Sequence, residues 1–228
     1  METVKIKAVI FDFDGTILDT EAACYQAWAE VYAQHGVELP PEQWAKAVGT
    51  AAGAFDAMGF LEERTGRPLD RARIEAARQK RERELIASLA LRPGVRPLLL
   101  EVKARGLKLG LASNSSRAWV EGHLRPHGII DHFDTLCTAG DVERVKPAPD
   151  LYLLALERLG VAPQEAVAIE DSPSGAAAAL AAGVWCVVVP NEITQDYSFP
   201  PVHLRLPSLE GIGFDDLVRD LVTAGRRT

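Results

Sequence analysis

At roughly 150 residues per domain, a chain of 228 residues amounts to about one and a half domains, which fits one core carrying a large insertion. A chain this long buries roughly 70% of its unfolded surface, so its core needs no staples. Hydrophobic content of 47% and charged content of 25% exclude wholesale disorder, and a net charge of −7 argues against a nucleic-acid partner while leaving an anionic substrate open.

No apolar stretch approaches the roughly 20 residues of a membrane helix, and Asp12 interrupts any signal-peptide core at the amino terminus. Cys24, Cys137 and Cys186 are odd in number, widely spaced and form no CxxC pair. Reduced thiols in a cytoplasmic protein, a monomer or homodimer with no membrane partner, are the expectation.

In chain order, Ala8 to Phe11 is a short, unbroken apolar run that predicts a strand buried on both faces. The stretch from about Asp19 to Leu91 has no such signal. Ala22 to His35 and Ile74 to Leu89 have helix-forming composition, punctuated by Pro40-Pro41, Gly66 and Pro68. It reads as a helical insertion, residues 19–91, within a core made of residues 1–18 and 92–228. Within it, Arg71 to Glu84 mixes basic residues with Glu75, Glu82 and Glu84, the pattern of a solvated helical face, with an RNA-binding helix as the lesser alternative.

Further strands are expected at Leu107 to Ala112, around Phe133 to Thr138, at Ala166 to Ile169 and at Trp185 to Val189. Helices are expected from Ser116 to before Gly128, from Asp150 to Gly160, and from after Ser172-Pro173-Ser174 to Gly183, with Asp or Ser as starting caps. The alanine run Ala176 to Ala179 reads as helix filler. Strand–helix alternation from Pro93 onward predicts an α/β fold with a doubly wound parallel sheet.

Chemistry gathers at the predicted strand ends. Asp12-Phe13-Asp14-Gly15-Thr16 follows the first strand directly, and residues i and i+2 of extended chain project to one side. A polar turn would explain a lone pair of acids, but the five-residue pattern arises by chance in roughly one chain in a few hundred. Ser113-Asn114 ends the second strand, Lys146 follows the third, and Glu170-Asp171 ends the fourth. Each alone has a plain explanation: a cap at Ser115 or Ser116, a wet proline loop, or acids favouring a helix dipole. Together, two acid clusters, a hydroxyl and a lysine converge on the sheet edge where open α/β proteins bind ligands. Clustered carboxylates repel unless a cation joins them, and an all-oxygen site favours Mg²⁺ over zinc. That set suits phosphoryl transfer.

The sequence resembles the haloacid dehalogenase superfamily, in the branch with a helical cap between its first and second motifs. The likeness rests on DFDGT at Asp12 to Thr16, LASNSS from Leu111, VKPAPD from Val145 and IEDSPSG from Ile169, and it spans essentially the whole chain. It implies a Mg²⁺-dependent phosphatase acting on a small phosphorylated metabolite, such as a sugar phosphate or a phosphoglycolate-like ester. By the resemblance Asp12 is the nucleophile that forms an aspartyl-phosphate, and Asp14 is the acid/base. Asp12, the backbone carbonyl of Asp14 and Asp171 bind Mg²⁺, with Glu170 in support. Ser113, Asn114 and Lys146 grip the phosphoryl group, with Thr16 also assigned to the substrate.

Asp14 sets the chain apart from the dehalogenases, which lack it in the family pattern. The β-phosphoglucomutase pattern has a cap histidine where this chain has Cys24, and a lysine and an arginine near Val48 and Ala52, where this chain has no charge. Water is therefore the expected acceptor, with a mutase as the alternative. The loop Val48 to Gly53, including Gly49 and Thr50, is the expected substrate-facing part of the cap, closing on hinges near Leu18 to Thr20 and Leu91 to Pro93. Cys24 and Trp28 are further candidates for that substrate-facing side, although Trp28, an aromatic at helical spacing, reads first as core. A phospho-acceptor signalling domain and a catalytically silent binding protein on the same fold are the readings from other classes.

Overall fold

The structure is a computed structural model that describes residues 5–44 and 55–224. The expected loop Val48 to Gly53, with Gly49 and Thr50, lies outside the described residues.

Among the described residues, strand β1 (Ala8–Phe11) is followed by four helices: α1 (Thr20–Gln34), α2 (Pro41–Trp44), α3 (Ala57–Thr65) and α4 (Arg71–Ala87). After α5 (Val95–Ala104) the chain alternates through β2 (Lys108–Ala112), α6 (Arg117–Leu124), β3 (Thr135–Cys137), α7 (Asp150–Leu159), β4 (Ala166–Glu170), α8 (Pro173–Ala181) and β5 (Trp185–Val188). A two-residue β6 (Leu204–Arg205) and α9 (Phe214–Ala224) complete it. All six strands run parallel in the order β3-β2-β1-β4-β5-β6. The chain winds outward from β1 in both directions, so the ends of β1, β2 and β4 flank the crevice where the winding reverses.

Alternation along β1 feeds both faces of the sheet. Val9 and Phe11 join Leu98, Leu99, Leu217 and Leu221 of α5 and α9, while Ala8 and Ile10 join Leu151, Tyr152 and Ala155 of α7. The alanine run is more than filler: Ala176, Ala178 and Ala179 are fully buried against the second face, where small side chains let α8 lie close to β4 and β5. Ser116 and Ser172 cap α6 and α8 through hydrogen bonds accepted from the Trp119 and Gly175 amides. Asp150 does not cap α7; its carboxylate pairs with Arg144 instead.

The helices before α5 have their own apolar centre, built from Val31, Tyr32, Leu39, Trp44 and Leu61, with Ile193 and Tyr197 of the loop after β5 packed against it. Trp28 belongs to this cluster, edge-on to Tyr32 and under the Arg78 guanidinium. The basic run of α4 is laced by ion pairs of Arg78 with Glu75 and Glu82 and of Arg81 with Glu30. Only Ile86 of that helix is buried. The three cysteines are free, and no helix among the described residues is long and apolar enough to cross a membrane.

Candidate active site

Parallel pairing continues one residue past β1, where the Asp12 amide donates to the Ile169 carbonyl at 2.9 Å. This sets Asp12 beside Glu170 and Asp171 at the end of β4. The chain then turns sharply at Gly15, whose φ of +80° favours glycine. A Cβ there would lie 2.0 Å from Asp171 Oδ2 and 2.8 Å from Asn191 Nδ2, so only glycine lets the turn approach the acids.

Lys146 reaches the same point from the loop after β3. Its Nζ donates to Asp12 Oδ1 at 2.6 Å, Glu170 Oε1 at 2.7 Å and the Ala112 carbonyl at 2.7 Å, using all three ammonium protons. The Asn114 side chain holds the Lys146 backbone at both ends: its Oδ1 accepts from the Lys146 amide at 2.8 Å and its Nδ2 donates to the Lys146 carbonyl at 3.1 Å. Asn114 thus faces the lysine loop, and Thr16 directs its hydroxyl at Asp171 Oδ1. Asn191, in the loop after β5, donates to Asp171 Oδ2 at 2.8 Å.

Asp12, Glu170 and Asp171 present carboxylate oxygens within 4.8 Å of one another, all buried. Burial works to strip Lys146 of its proton, but Asp12 and Glu170 outweigh it and hold the ammonium above its ordinary value. Burial, reinforced by Glu170 and Asp14 and opposed by Lys146, pushes Asp12 up to about 7. Burial and the charges of Asp12 and Glu170 push Asp171 well up. When all three are ionised, the carboxylates facing one ammonium leave two negative charges uncompensated, the charge of one divalent cation. Glu170 Oε1 accepts from both Lys146 and the Tyr152 hydroxyl, whereas Glu170 Oε2 is buried with no hydrogen-bond partner. An all-oxygen set with this charge and an orphaned oxygen fits a divalent metal.

The Asp14 side chain turns to the other side of the crevice. Its Oδ1 accepts from Thr20 Oγ1 and Trp119 Nε1, each at 2.9 Å, and its Oδ2 accepts from Ser115 Oγ at 2.6 Å and from Ser113 Oγ at a long 3.4 Å. Glu21, in the first turn of α1, lies in the field of Asp14 and Asp12; burial first, then those charges, pushes it up to about 8. Cys24 is drawn into the helical layer, donating its thiol proton to Glu82 at 2.8 Å.

The β1–β4 acids, Lys146 and Ser113 therefore converge as the motif spacing implies. Trp119, Tyr152 and Asn191 complete the contacts without having been singled out, and Ser115, considered only as a helix cap, bonds Asp14 while Ser116 does the capping. Asn191 carried a usable signal, since it directly follows the apolar run Val187-Val188-Val189-Pro190 at the same sheet edge. Tyr152 carried none, being one more apolar-face residue of a helix.

The haloacid dehalogenase-like hydrolase family model matches residues 6–183, the span that contains every one of these groups except Asn191. The chain belongs to that family. It is an enzyme, a hydrolase of phosphoric monoesters. "Putative phosphatase YhcW" of Bacillus subtilis (strain 168) is 47% identical over 204 residues, covering 90% of this chain and 92% of the relative. "Phosphorylated carbohydrates phosphatase" of Thermotoga maritima is 33% identical, covering 78% of this chain and 82% of the relative. Among solved structures, CbbY from Rhodobacter sphaeroides in complex with phosphate superposes with a TM-score of 0.73 at 33% identity, covering 93% of this chain and 99% of the other. A second structure of that protein, a mutant, holds xylulose-1,5-bisphosphate and matches equally well.

Proposed function

We propose that the protein is a Mg²⁺-dependent phosphatase of sugar phosphates that works through an aspartyl-phosphate on Asp12. The observation that carries this reading is the buried triad Asp12, Glu170 and Asp171 beside Lys146, two positive charges short of balance when ionised and with one carboxylate oxygen unpartnered. The sugar-phosphate class is supported by the names of the Thermotoga relative and of the bisphosphate bound to CbbY.

Asp12, Glu170 and Asp171, with the backbone carbonyl of Asp14, would hold Mg²⁺, whose chemistry there is to offset the acids and draw in phosphoryl oxygens. A carboxylate oxygen of Asp12 attacks phosphorus as the ester P–O bond breaks, and the departing oxygen takes a proton from Asp14. Asp14, now ionised, takes a proton from water; the water oxygen attacks phosphorus, the acyl-phosphate bond breaks, and Asp12 is restored as inorganic phosphate leaves. Ser113 holds a phosphoryl oxygen as charge develops. Lys146, with its three protons engaged, fixes the Asp12 carboxylate and compensates its charge. The helical segment, residues 19–91, acts as the lid that selects the ester.

The test is a panel of glucose 6-phosphate, xylulose 1,5-bisphosphate, phosphoglycolate and 4-nitrophenyl phosphate, assayed with Mg²⁺, with EDTA and with Asp12→Asn. Turnover of the sugar esters that is abolished by both treatments is expected. Turnover that survives both sinks the mechanism, and no turnover of any ester returns the chain to the silent binding protein.

A further inference from the structure

Two buried side-chain polar atoms among the described residues lack a hydrogen-bond partner. Glu170 Oε2 belongs to the acid cluster. The other is Trp44 Nε1, in the helical segment, on a residue only 7% exposed. An indole N–H only donates, and leaving it buried and unpaired is costly, so this one calls for an acceptor that the described residues do not supply.

Trp44 lines a cavity of about 410 Å³ formed by α1, α2 and the loop after β5, a volume within the range of small-molecule sites. Tyr25 and Tyr197 are its other aromatic walls, the Tyr25 ring standing 6.1 Å from the indole between centroids and tilted by 51°. The Tyr25 hydroxyl donates to the Leu39 carbonyl at 3.0 Å. Glu42, Glu192 and Asp196 are exposed around the cavity, and among the described residues no lysine, arginine or histidine lines it. Glu192 and Asp196 also line an adjoining cavity with Arg92 and Arg205, yet neither guanidinium neutralises them. Arg92 binds the Val189 and Pro190 carbonyls, and Arg205 binds the Gln195 carbonyl and lies over the Phe199 ring.

Aromatic faces beside unpaired carboxylates attract a cation and repel a phosphate ester. An ammonium cannot accept from Trp44, so the occupant must bring an oxygen as well. We propose that this cavity binds a small organic ammonium that also carries a hydroxyl. The cationic nitrogen sits among the aromatic rings and the three acids, and the hydroxyl oxygen accepts from Trp44 Nε1. Asp12, Asp14, Lys146, Glu170 and Asp171 are all absent from its lining, so the site is separate from the phosphoryl chemistry.

The experiment is a ligand-observed NMR titration of the whole chain with choline and with glucosamine. Each is paired with a neutral counterpart of the same shape, 3,3-dimethyl-1-butanol for choline and glucose for glucosamine. At least one ammonium is expected to bind more tightly than its counterpart, and to keep its affinity when Mg²⁺ and inorganic phosphate are added at matched ionic strength. Replacing both loop acids, Glu192→Gln with Asp196→Asn, is expected to weaken binding roughly fivefold, the scale of two exposed ion pairs. Trp44→Phe keeps a ring and removes the N–H, with an expected loss of roughly tenfold. The exposed acid pair carries the test if Trp44→Phe fails to fold. Failure of both ammonium probes to bind overturns the proposal, and so do neutral counterparts that bind as tightly. Affinity unchanged by loss of the two acids, or binding displaced by phosphate, places the ligand elsewhere and overturns it too. A folded Trp44→Phe chain that binds as tightly as the parent overturns the role of the indole.

Discussion

Gly175 offers a sharp measurement of how tightly the acid cluster is packed. It sits in the first turn of α8, and a Cβ there would lie 1.9 Å from Glu170 Oε2 and 2.2 Å from Glu170 Cδ. A carboxylate at the end of a free side chain would step aside, but Glu170 is fully buried and held by Lys146 and Tyr152. Gly175→Ala must therefore overpack the site, at about 1–3 kcal/mol, or pull Glu170 from charged hydrogen bonds worth about 1.5–3 kcal/mol. Against this stands a helix-propensity gain of at most about 1 kcal/mol. The net is a destabilisation of about 1–2 kcal/mol, or roughly 2–8 °C in Tm for a chain of this length. Gly122→Ala is the matched control: it is an exposed glycine of α6 with nothing within 4 Å of its would-be Cβ, so a gain of about 0.5–1 kcal/mol is expected. Thermal melts of both variants, with a Mg²⁺ titration of Tm alongside, decide the matter. Equal or reversed signs for the two substitutions would refute the claim that α8 needs a bare backbone over Glu170.

Two further outcomes follow from the charges. Asp12, raised to about 7, and Glu21, raised to about 8, bind protons more tightly folded than unfolded. Their stabilising contribution is complete at low pH and is lost as pH rises through those values. The Tm in EDTA should accordingly fall between about pH 5 and pH 8, and saturating Mg²⁺, which favours the ionised acids, should raise Tm more at pH 8.5 than at pH 6; a metal-free Tm that climbs over this range would contradict the assignment. In the helical segment, Arg78 lies over Trp28 and bridges Glu75 and Glu82 with its side chain only 11% exposed, whereas Arg81 pairs with Glu30 at 42% exposure. Chemical denaturation should show Arg78→Ala costing about 2 kcal/mol and Arg81→Ala less than about 1 kcal/mol, and equal costs would deny the partly buried cluster its role.

The sheet was legible because β1 to β5 are short, mainly apolar runs, and most of the site because its residues fall at or just after the ends of those runs. Asp12, Ser113 and Glu170 needed only that rule. What escaped is what depends on distance in the chain. Trp119 meets Asp14 across 105 positions and Asn191 meets Asp171 across 20, and neither pairing leaves a local pattern. β6 escaped because two residues hold no periodicity. Ala176 to Ala179 read as filler because propensity explains alanine in a helix as well as close packing does, and only the sheet beneath α8 separates the two.

Arg92 stands where the helical segment hands the chain back to the sheet. Its amide donates to the Ile17 carbonyl at 2.9 Å, and its guanidinium binds the carbonyls of Gly15, Val189 and Pro190. The outgoing and returning strands of chain are therefore fastened at a single point, like both leaves of a door on one pin. Lengthening, shortening or exchanging everything between residues 18 and 91 leaves that fastening untouched. If the helical segment selects the ester as proposed, its sequence can change with the Arg92 clasp and the Gly15 turn left in place.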